Sequence, residues 1–166
     1  GADSAAGARE NLGIQFPLPI ANGGTGGTTA SAALTNLGLP VTYGTWTPTL
    51  ISTDGGMTYT TSYNYACYYS IGRLVYVTFY MKVNVTNAGS GYARVTNFPF
   101  APVSGQFFAM ARCLFATGSY SNNTYGEVGF LQGDGTMRIQ SANGTAALKW
   151  NTGDTWVGYS GCYVKA

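Results

Sequence analysis

Charge is what this sequence most conspicuously lacks. Of 166 residues only 8 are Lys or Arg and 6 are Asp or Glu, so charged side chains make up 8%. A soluble domain usually carries about a quarter. Histidine is absent altogether, which removes Ser-His-Asp and Cys-His nucleophile systems and the commonest zinc ligand. Cysteine is sparse: Cys67, Cys113 and Cys162 sit among apolar or aromatic neighbours with no CxxC spacing. Neither a metal knuckle nor a redox motif is expected, and the three read as small buried hydrophobes. The basic residues are scattered from Arg9 to Lys165 without a run, and the net charge is +2. That excludes nucleic-acid binding, which needs a clustered basic stripe. No apolar run approaches the roughly 20 residues that span a bilayer, and no basic-then-apolar leader is visible. Membrane insertion is not expected.

The charge deficit has a second consequence. A monomer this neutral would have to cover its whole surface with Tyr, Asn, Ser, Thr and Gly. A subunit that hides surface against copies of itself would not. Composition therefore points to an oligomer.

What is present begins with a glycine run. Pro19-Ile20-Ala21-Asn22-Gly23-Gly24-Thr25-Gly26-Gly27-Thr28-Thr29-Ala30 holds no charge. Composition makes a flexible linker its default reading. The sharper reading is a segment where chains approach one another so closely that only glycine fits. It is not a phosphate loop, because no Lys-Ser/Thr follows, and no cofactor is expected. Gly7-Ala8-Arg9-Glu10-Asn11-Leu12-Gly13-Ile14 precedes the run, and Ala32-Ala33-Leu34-Thr35-Asn36-Leu37-Gly38-Leu39 follows it. Each flank reads as a short helical turn closed by glycine and followed by an apolar anchor. Helices this short are marginal alone and need something to pack on.

These flanks and the run between them resemble the repeats near the distal end of bacteriophage tail fibres. The resemblance covers roughly residues 5–40. Further on, Gly44-Thr45-Trp46-Thr47-Pro48, Tyr68-Tyr69-Ser70-Ile71-Gly72-Arg73 and Phe98-Pro99-Phe100 are similar, more loosely, to segments of the receptor-binding heads that end such fibres. The resemblance implies a homotrimer at the distal tip of a virion's tail fibre, assembled in the host cytoplasm and then extracellular. The chain would be a piece of a longer fibre protein. The implied partners are itself and a bacterial surface glycan, lipopolysaccharide or outer-membrane protein. A phage-tail-like bacteriocin would carry the same kind of tip.

Residues 1–40 contain no Tyr or Trp, whereas residues 41–166 are rich in aromatics. The expected organisation is a neck over 1–40 and a head over 41–166. The head reads as all-β, an antiparallel β-sandwich behind a neck with two mini-helical turns. Over 73–85 the alternation is clear: Val75, Val77, Phe79, Met81, Val83 and Val85 on one face, Tyr76, Thr78, Tyr80, Lys82 and Asn84 on the other. Period two means a strand with one face on the core. The neutral opposite face suits a second sheet or a subunit contact. Further strands are expected over 46–51, 63–70, 92–98, 107–116, 125–131, 136–142, 146–150 and 155–164. Turn signals lie between them at Asp54-Gly55-Gly56, 87–91, Gly133-Asp134-Gly135, Asn143-Gly144 and Thr152-Gly153-Asp154.

No catalytic residue is assigned. Asp54, Asp134 and Asp154 sit beside glycines in turn-like sequence, and Glu127 lies in a strand candidate. A glycan depolymerase would need two of these carboxylates facing one sugar bond. That enzyme remains the alternative, along with a purely structural trimerising cap. Binding chemistry is better supported. Tyr and Trp anchors with neutral Asn and Ser partners suit sugars and protein loops alike. The segment containing Tyr120, Asn122, Asn123 and Tyr125 has this composition, and so, more weakly, does the one between Trp150 and Trp156. These six are the candidate receptor contacts. The two tryptophans also fit core positions flanking a turn.

Overall fold

Ser4 and Thr29 start two matched helical turns. In α1 (Ala5–Asn11) the Ser4 hydroxyl accepts from the Gly7 amide at 3.0 Å. In α2 (Ala30–Asn36) Thr29 does the same for Ala32 at 3.1 Å. Such caps satisfy amides that the helix itself cannot. Each turn ends on a left-handed glycine, Gly13 at φ 65° and Gly38 at φ 78°. The amides of Gly13 and Ile14 donate back to Glu10 and Arg9, and those of Gly38 and Leu39 to Thr35 and Leu34. These are the paired bonds of a Schellman stop, which puts a non-β-carbon residue where φ is positive. The repeated Asn-Leu-Gly is thus a repeated helix terminator.

The glycine run is a folded turn and not a linker. After a 3-10 turn over Ile20–Asn22, the Gly24 and Gly26 amides donate to Pro19 and Leu18 at 3.0 and 2.8 Å. The Asn36 side-chain amide donates to the Thr25 carbonyl at 3.0 Å. A Cβ on Gly24 would collide with the Leu18 carbonyl, and one on Gly27 would lie 2.5 Å from the Ala33 nitrogen. The close approach that requires glycine is made within the chain.

This computed structural model describes residues 3–112, 120–121, 127–141 and 147–166. They fall into two compact units, one of 1–42 with 70–72 and one of 43–69 with 73–166. In the first, no residue from 3 to 42 is buried, and Leu12, Phe16, Ile20, Leu37 and Leu39 are all at least half exposed.

The second unit is almost entirely β. The strands, all lying wholly or mostly in it, are β1 (Val41–Thr45), β2 (Thr49–Ser52), β3 (Thr58–Ile71), β4 (Leu74–Asn87), β5 (Ala93–Thr96), β6 (Phe107–Arg112), β7 (Tyr120–Ser121), β8 (Glu127–Gln132), β9 (Met137–Ser141), β10 (Lys149–Trp150) and β11 (Gly153–Val164). Nine of them hydrogen-bond into one curled sheet in the order β1-β3-β4-β11-β6-β8-β9-β5-β2. β7 and β10 pair separately. The hydrogen bonds thus make one continuous large sheet, where two stacked sheets were expected. Strands β1 and β7 were not anticipated, and Gly153 and Asp154 belong to β11, not to a turn. The ends of the expected strands at 107–116 and 125–131, and the Asn143-Gly144 turn, lie outside the described residues.

The core lies inside the curl. Val75, Val77, Phe79, Met81, Val83 and Val85 are all buried, as the alternation predicts. They meet Leu50, Val95, Met110, Leu131, Met137 and Ile139 from the far strands. Trp46 packs its ring against Phe79 at 5.5 Å and Phe98 at 5.0 Å. Two tyrosine hydroxyls find partners across this core, while the Trp46 indole N–H is buried without one. The Tyr59 hydroxyl accepts from the Leu50 amide at 3.2 Å. The Tyr163 hydroxyl donates to the Phe100 carbonyl at 3.0 Å and accepts from the Phe100 amide at 3.2 Å.

Burial raises the Tyr163 phenol from 10.0 to about 12, with the bond to Phe100 working in the opposite direction. The folded state holds this proton more tightly than the unfolded chain does. The stabilisation is therefore complete below pH 10.0 and is lost as pH rises toward about 12. Urea midpoints measured across that window should fall in the native chain. Tyr163→Phe should flatten the fall while costing about 1 kcal/mol at neutral pH through the lost hydrogen bond.

Candidate functional site

The pairing of β4 with β11 fixes two faces at once. Val75, Val77, Phe79 and Met81 stand opposite Tyr163, Gly161, Tyr159 and Val157 on the inner face. The alternate positions form the outer face, where Leu74, Tyr76, Thr78, Tyr80, Lys82 and Asn84 oppose Val164, Cys162, Ser160, Gly158, Trp156 and Asp154. Neutral and aromatic side chains dominate it.

Strand β3 adds its own tyrosines to this face, and a change of phase within the strand makes that possible. Thr58 lies on the outer side, its hydroxyl 2.8 Å from that of Thr86. Tyr59 points inward to Leu50. Tyr63, five residues after Thr58, is again on the outer side, where its hydroxyl meets that of Tyr80 at 3.1 Å. Strict alternation would have put it inward. One extra residue between them, a β-bulge, restores it to the outside. Ser62 sits at this place, its hydroxyl donating to the Lys82 carbonyl at 3.2 Å.

The result is an exposed aromatic cluster. Tyr63 and Tyr80 stack with centroids 5.2 Å apart and planes within 17°. Tyr65 lies 5.4 Å from Tyr80, and Trp156 lies 6.1 Å from Tyr63 and 6.4 Å from Tyr80. Tyr63, Tyr65 and Trp156 are 43%, 46% and 37% exposed. Polar groups border the rings. The Asn84 amide donates to the Asp154 carboxylate at 2.7 Å, and Lys82 stands opposite Trp156. Tyr43 and Tyr69, 6.1 Å apart, extend the aromatic surface. Such a face offers flat apolar rings with hydrogen-bonding tips, the combination that stacks on apolar surface while staying wet at its edge.

Of the two candidate contacts whose side chains are described, Trp156 is placed in this cluster and Trp150 is not. Trp150 is corrected to a core residue: it is 3% exposed and its indole N–H donates to the Ile51 carbonyl at 2.8 Å. A ring so enclosed has no face for a receptor. Tyr120 pairs through its backbone with Trp150, so the two suspected loops meet in a two-stranded ribbon. Asn122, Asn123 and Tyr125 lie outside the described residues. Tyr63, Tyr65 and Tyr69 were missed. Their spacing along 63–69 was the available signal, and the bulge upstream hid which face it served. Cys162 is also corrected. It is exposed on the outer column opposite Tyr76, and Cys67 is half-buried; both are free thiols. Cys113 lies outside the described residues.

Asp54 and Asp134 hold turns together. Asp54 accepts from the Ser90 hydroxyl at 2.7 Å and from the Gly56 amide at 3.1 Å. Asp134 accepts from the Thr136 amide and hydroxyl at 2.9 and 2.8 Å. Among the described residues no group of three His, Cys, Asp or Glu side chains is placed to hold a metal ion. Comparison with protein-family models, curated proteins and solved structures finds no match to this chain.

Trp156 should be the tryptophan that solvent reaches. Acrylamide is expected to quench a fraction of the native emission that disappears in Trp156→Phe, while Trp150→Phe leaves that fraction in place. Equal quenching of the native chain and Trp156→Phe would mean that the outer face is covered in solution.

Proposed function

We propose that this chain is the distal tip of a phage tail fibre, a homotrimer that binds a bacterial surface receptor to begin adsorption. The observation that carries the binding half of this reading is the Tyr63–Tyr65–Tyr80–Trp156 cluster, exposed on a rigid sheet and bordered by Asn84, Asp154 and Lys82. Rigid aromatic anchors lose little entropy on binding and dominate recognition of sugars and protein loops. The assembly half is supported by the neck, where residues 3–42 bury nothing while Leu12, Phe16, Leu37 and Leu39 stay exposed. A segment so built needs partners, and three copies around an axis would supply them. The curled sheet is then the sandwich-like head of each subunit. Three weak sites on one tip gain affinity by multivalency. We assign binding in preference to cleavage because the exposed feature is aromatic, while Asp54, Asp134 and Asp154 accept hydrogen bonds from separate neighbours: Gly56, Thr136 and Asn84.

A second reading, a purely structural subunit contact on the aromatic face, is favoured by Leu74 and Tyr76, which continue that face and are 50% and 40% exposed. One experiment separates the two. Light scattering on the native chain should give a trimer mass, and labelled protein should adsorb to host envelopes. The double variant Tyr80→Ala, Trp156→Ala should keep the trimer mass and lose about tenfold or more in adsorption, the scale of one hot-spot anchor. Dissociation of that variant would favour the structural reading. A monomeric native chain would sink the fibre proposal.

Recognition by the aromatic face makes no demand on the neck, so the neck has its own test. Gly24→Ala drives a side chain into the Leu18 carbonyl, and light scattering on this variant is expected to show loss of trimer. Retention of trimer would place assembly in the head.

A further inference from the structure

Away from the aromatic face, the strand register sets two arginines directly against each other. Arg94 in β5 is the register partner of Arg138 in β9. Their neighbours along each strand, Ala93, Val95, Met137 and Ile139, are all fully buried in the core, so alternation sends both arginines to the outer side. Like charges facing across two strands destabilise the pairing. The arrangement is also short of partners. One guanidinium nitrogen of each residue, Nη1 of Arg94 and Nε of Arg138, is shut off from solvent and has no hydrogen-bond partner. Buried donors on charged groups are costly to leave unmade.

Among the described residues, the carboxylate that acts on Arg94 does not resolve this. Asp134 lies close enough to favour the charged form of Arg94, yet burial and the field of Arg138 together depress that arginine below its ordinary value. One Asp134 oxygen is already taken by the Thr136 amide and hydroxyl. β5 also meets the segment that carries Lys149. Leu148 accepts from the Ala93 amide at 2.8 Å, and the next residue, Lys149, holds its ammonium 5.9 Å from the ring centroid of Tyr92. Tyr92 is 47% exposed and precedes Arg94 by two residues, on the same alternation. In a chain with only 8 basic residues, two of them are set against each other across β5 and β9.

We infer that Arg94 and Arg138 form an oxyanion site that takes the phosphate or carboxylate of an acidic ligand between their guanidinium groups. Two planar forks match the oxygens of such a group and replace mutual repulsion by charge-assisted hydrogen bonds. The oxyanion site rests on the register and the unpartnered donors alone. Only its assignment to an acidic surface glycan rests on the receptor reading above.

The test uses the whole chain and inorganic phosphate as probe. Phosphate is expected to raise the melting temperature above that seen in sodium chloride of equal ionic strength, and to shift the Arg94 and Arg138 side-chain N–H signals in NMR spectra. Arg94→Gln and Arg138→Gln should each weaken the apparent phosphate affinity about tenfold, the loss of one charge-assisted contact. Both variants are expected to fold, because each removes a like-charge opposition. Arg138→Lys should fall between, keeping charge without the fork, and Arg9→Gln should match the native chain. A phosphate response equal in native and Gln variants, or none in any, overturns the site. So does loss of trimer mass in the Gln variants without a phosphate response, which would assign the pair to a carboxylate of another subunit. Competition by glucuronate against a sugar phosphate identifies the preferred oxyanion. Phosphate binding lost in the Gln variants, with no adsorption of native protein to envelopes, would retain the oxyanion site and overturn the receptor reading.

Discussion

The β4–β11 ladder is the constraint on which the second unit depends. It runs unbroken from the Val85–Gly153 pair to the Leu74–Val164 pair. Because side chains alternate with period two, this one register assigns every residue of both strands to a face. A slip of β4 by one residue would bring Phe79 into water and send Lys82 into the core. The inner column is also where the strongest packing lies: Phe79, Tyr159 and Tyr163 are all essentially inaccessible. Gly161 on that column leaves the space that Met110 fills, since a Cβ there would sit 2.5 Å from the Met110 sulfur. The ladder is held by burial on one side, and the other side is left free for aromatic residues that pack mainly on one another.

The neck follows a different logic. Its turns are specified locally, by a hydroxyl at each start and a left-handed glycine at each end, and its glycine run folds against its own chain. Local bonds of this kind set shape but bury little apolar surface, and burial is the main favourable term in folding. The contrast between a well-specified backbone and unburied Leu12, Phe16, Leu37 and Leu39 is what a segment completed by other chains would show. The 8% charge content fits the same picture. So does the outer sheet face, where exposed tyrosines take the place that Lys and Glu hold on most solvated sheets.

Much of this was legible before any coordinates. The alternation over 73–85 is strong because one face is wholly apolar and β-branched or bulky, so propensity and pattern agree. The helix stops were legible because only glycine tolerates positive φ without strain, and Asn-Leu-Gly placed it right after a short Ala-rich turn. Trp150 and Trp156 could not be separated in this way. They flank the same turn signal, and the ladder register turns Trp156 outward, while Trp150 in β10 reaches under β2 to the Ile51 carbonyl. Cys162 was misjudged for the same reason: apolar neighbours along the chain do not say which column a residue occupies.

The sequence by itself therefore determined the elements that depend on neighbours within a few residues: capped turns, glycine stops, and a strand whose two faces differ in kind. These are short-range effects of φ, hydrogen bonding and period two. Tertiary structure alone decided what depends on phase and register between distant segments. The bulge before Tyr63 aims the β3 tyrosines at Tyr80 and Trp156. The β5–β9 pairing sets Arg94 against Arg138, and the curl of the single sheet encloses Trp150. A one-residue change of phase leaves composition and local propensity untouched, yet it reverses the side of the sheet on which every following side chain acts.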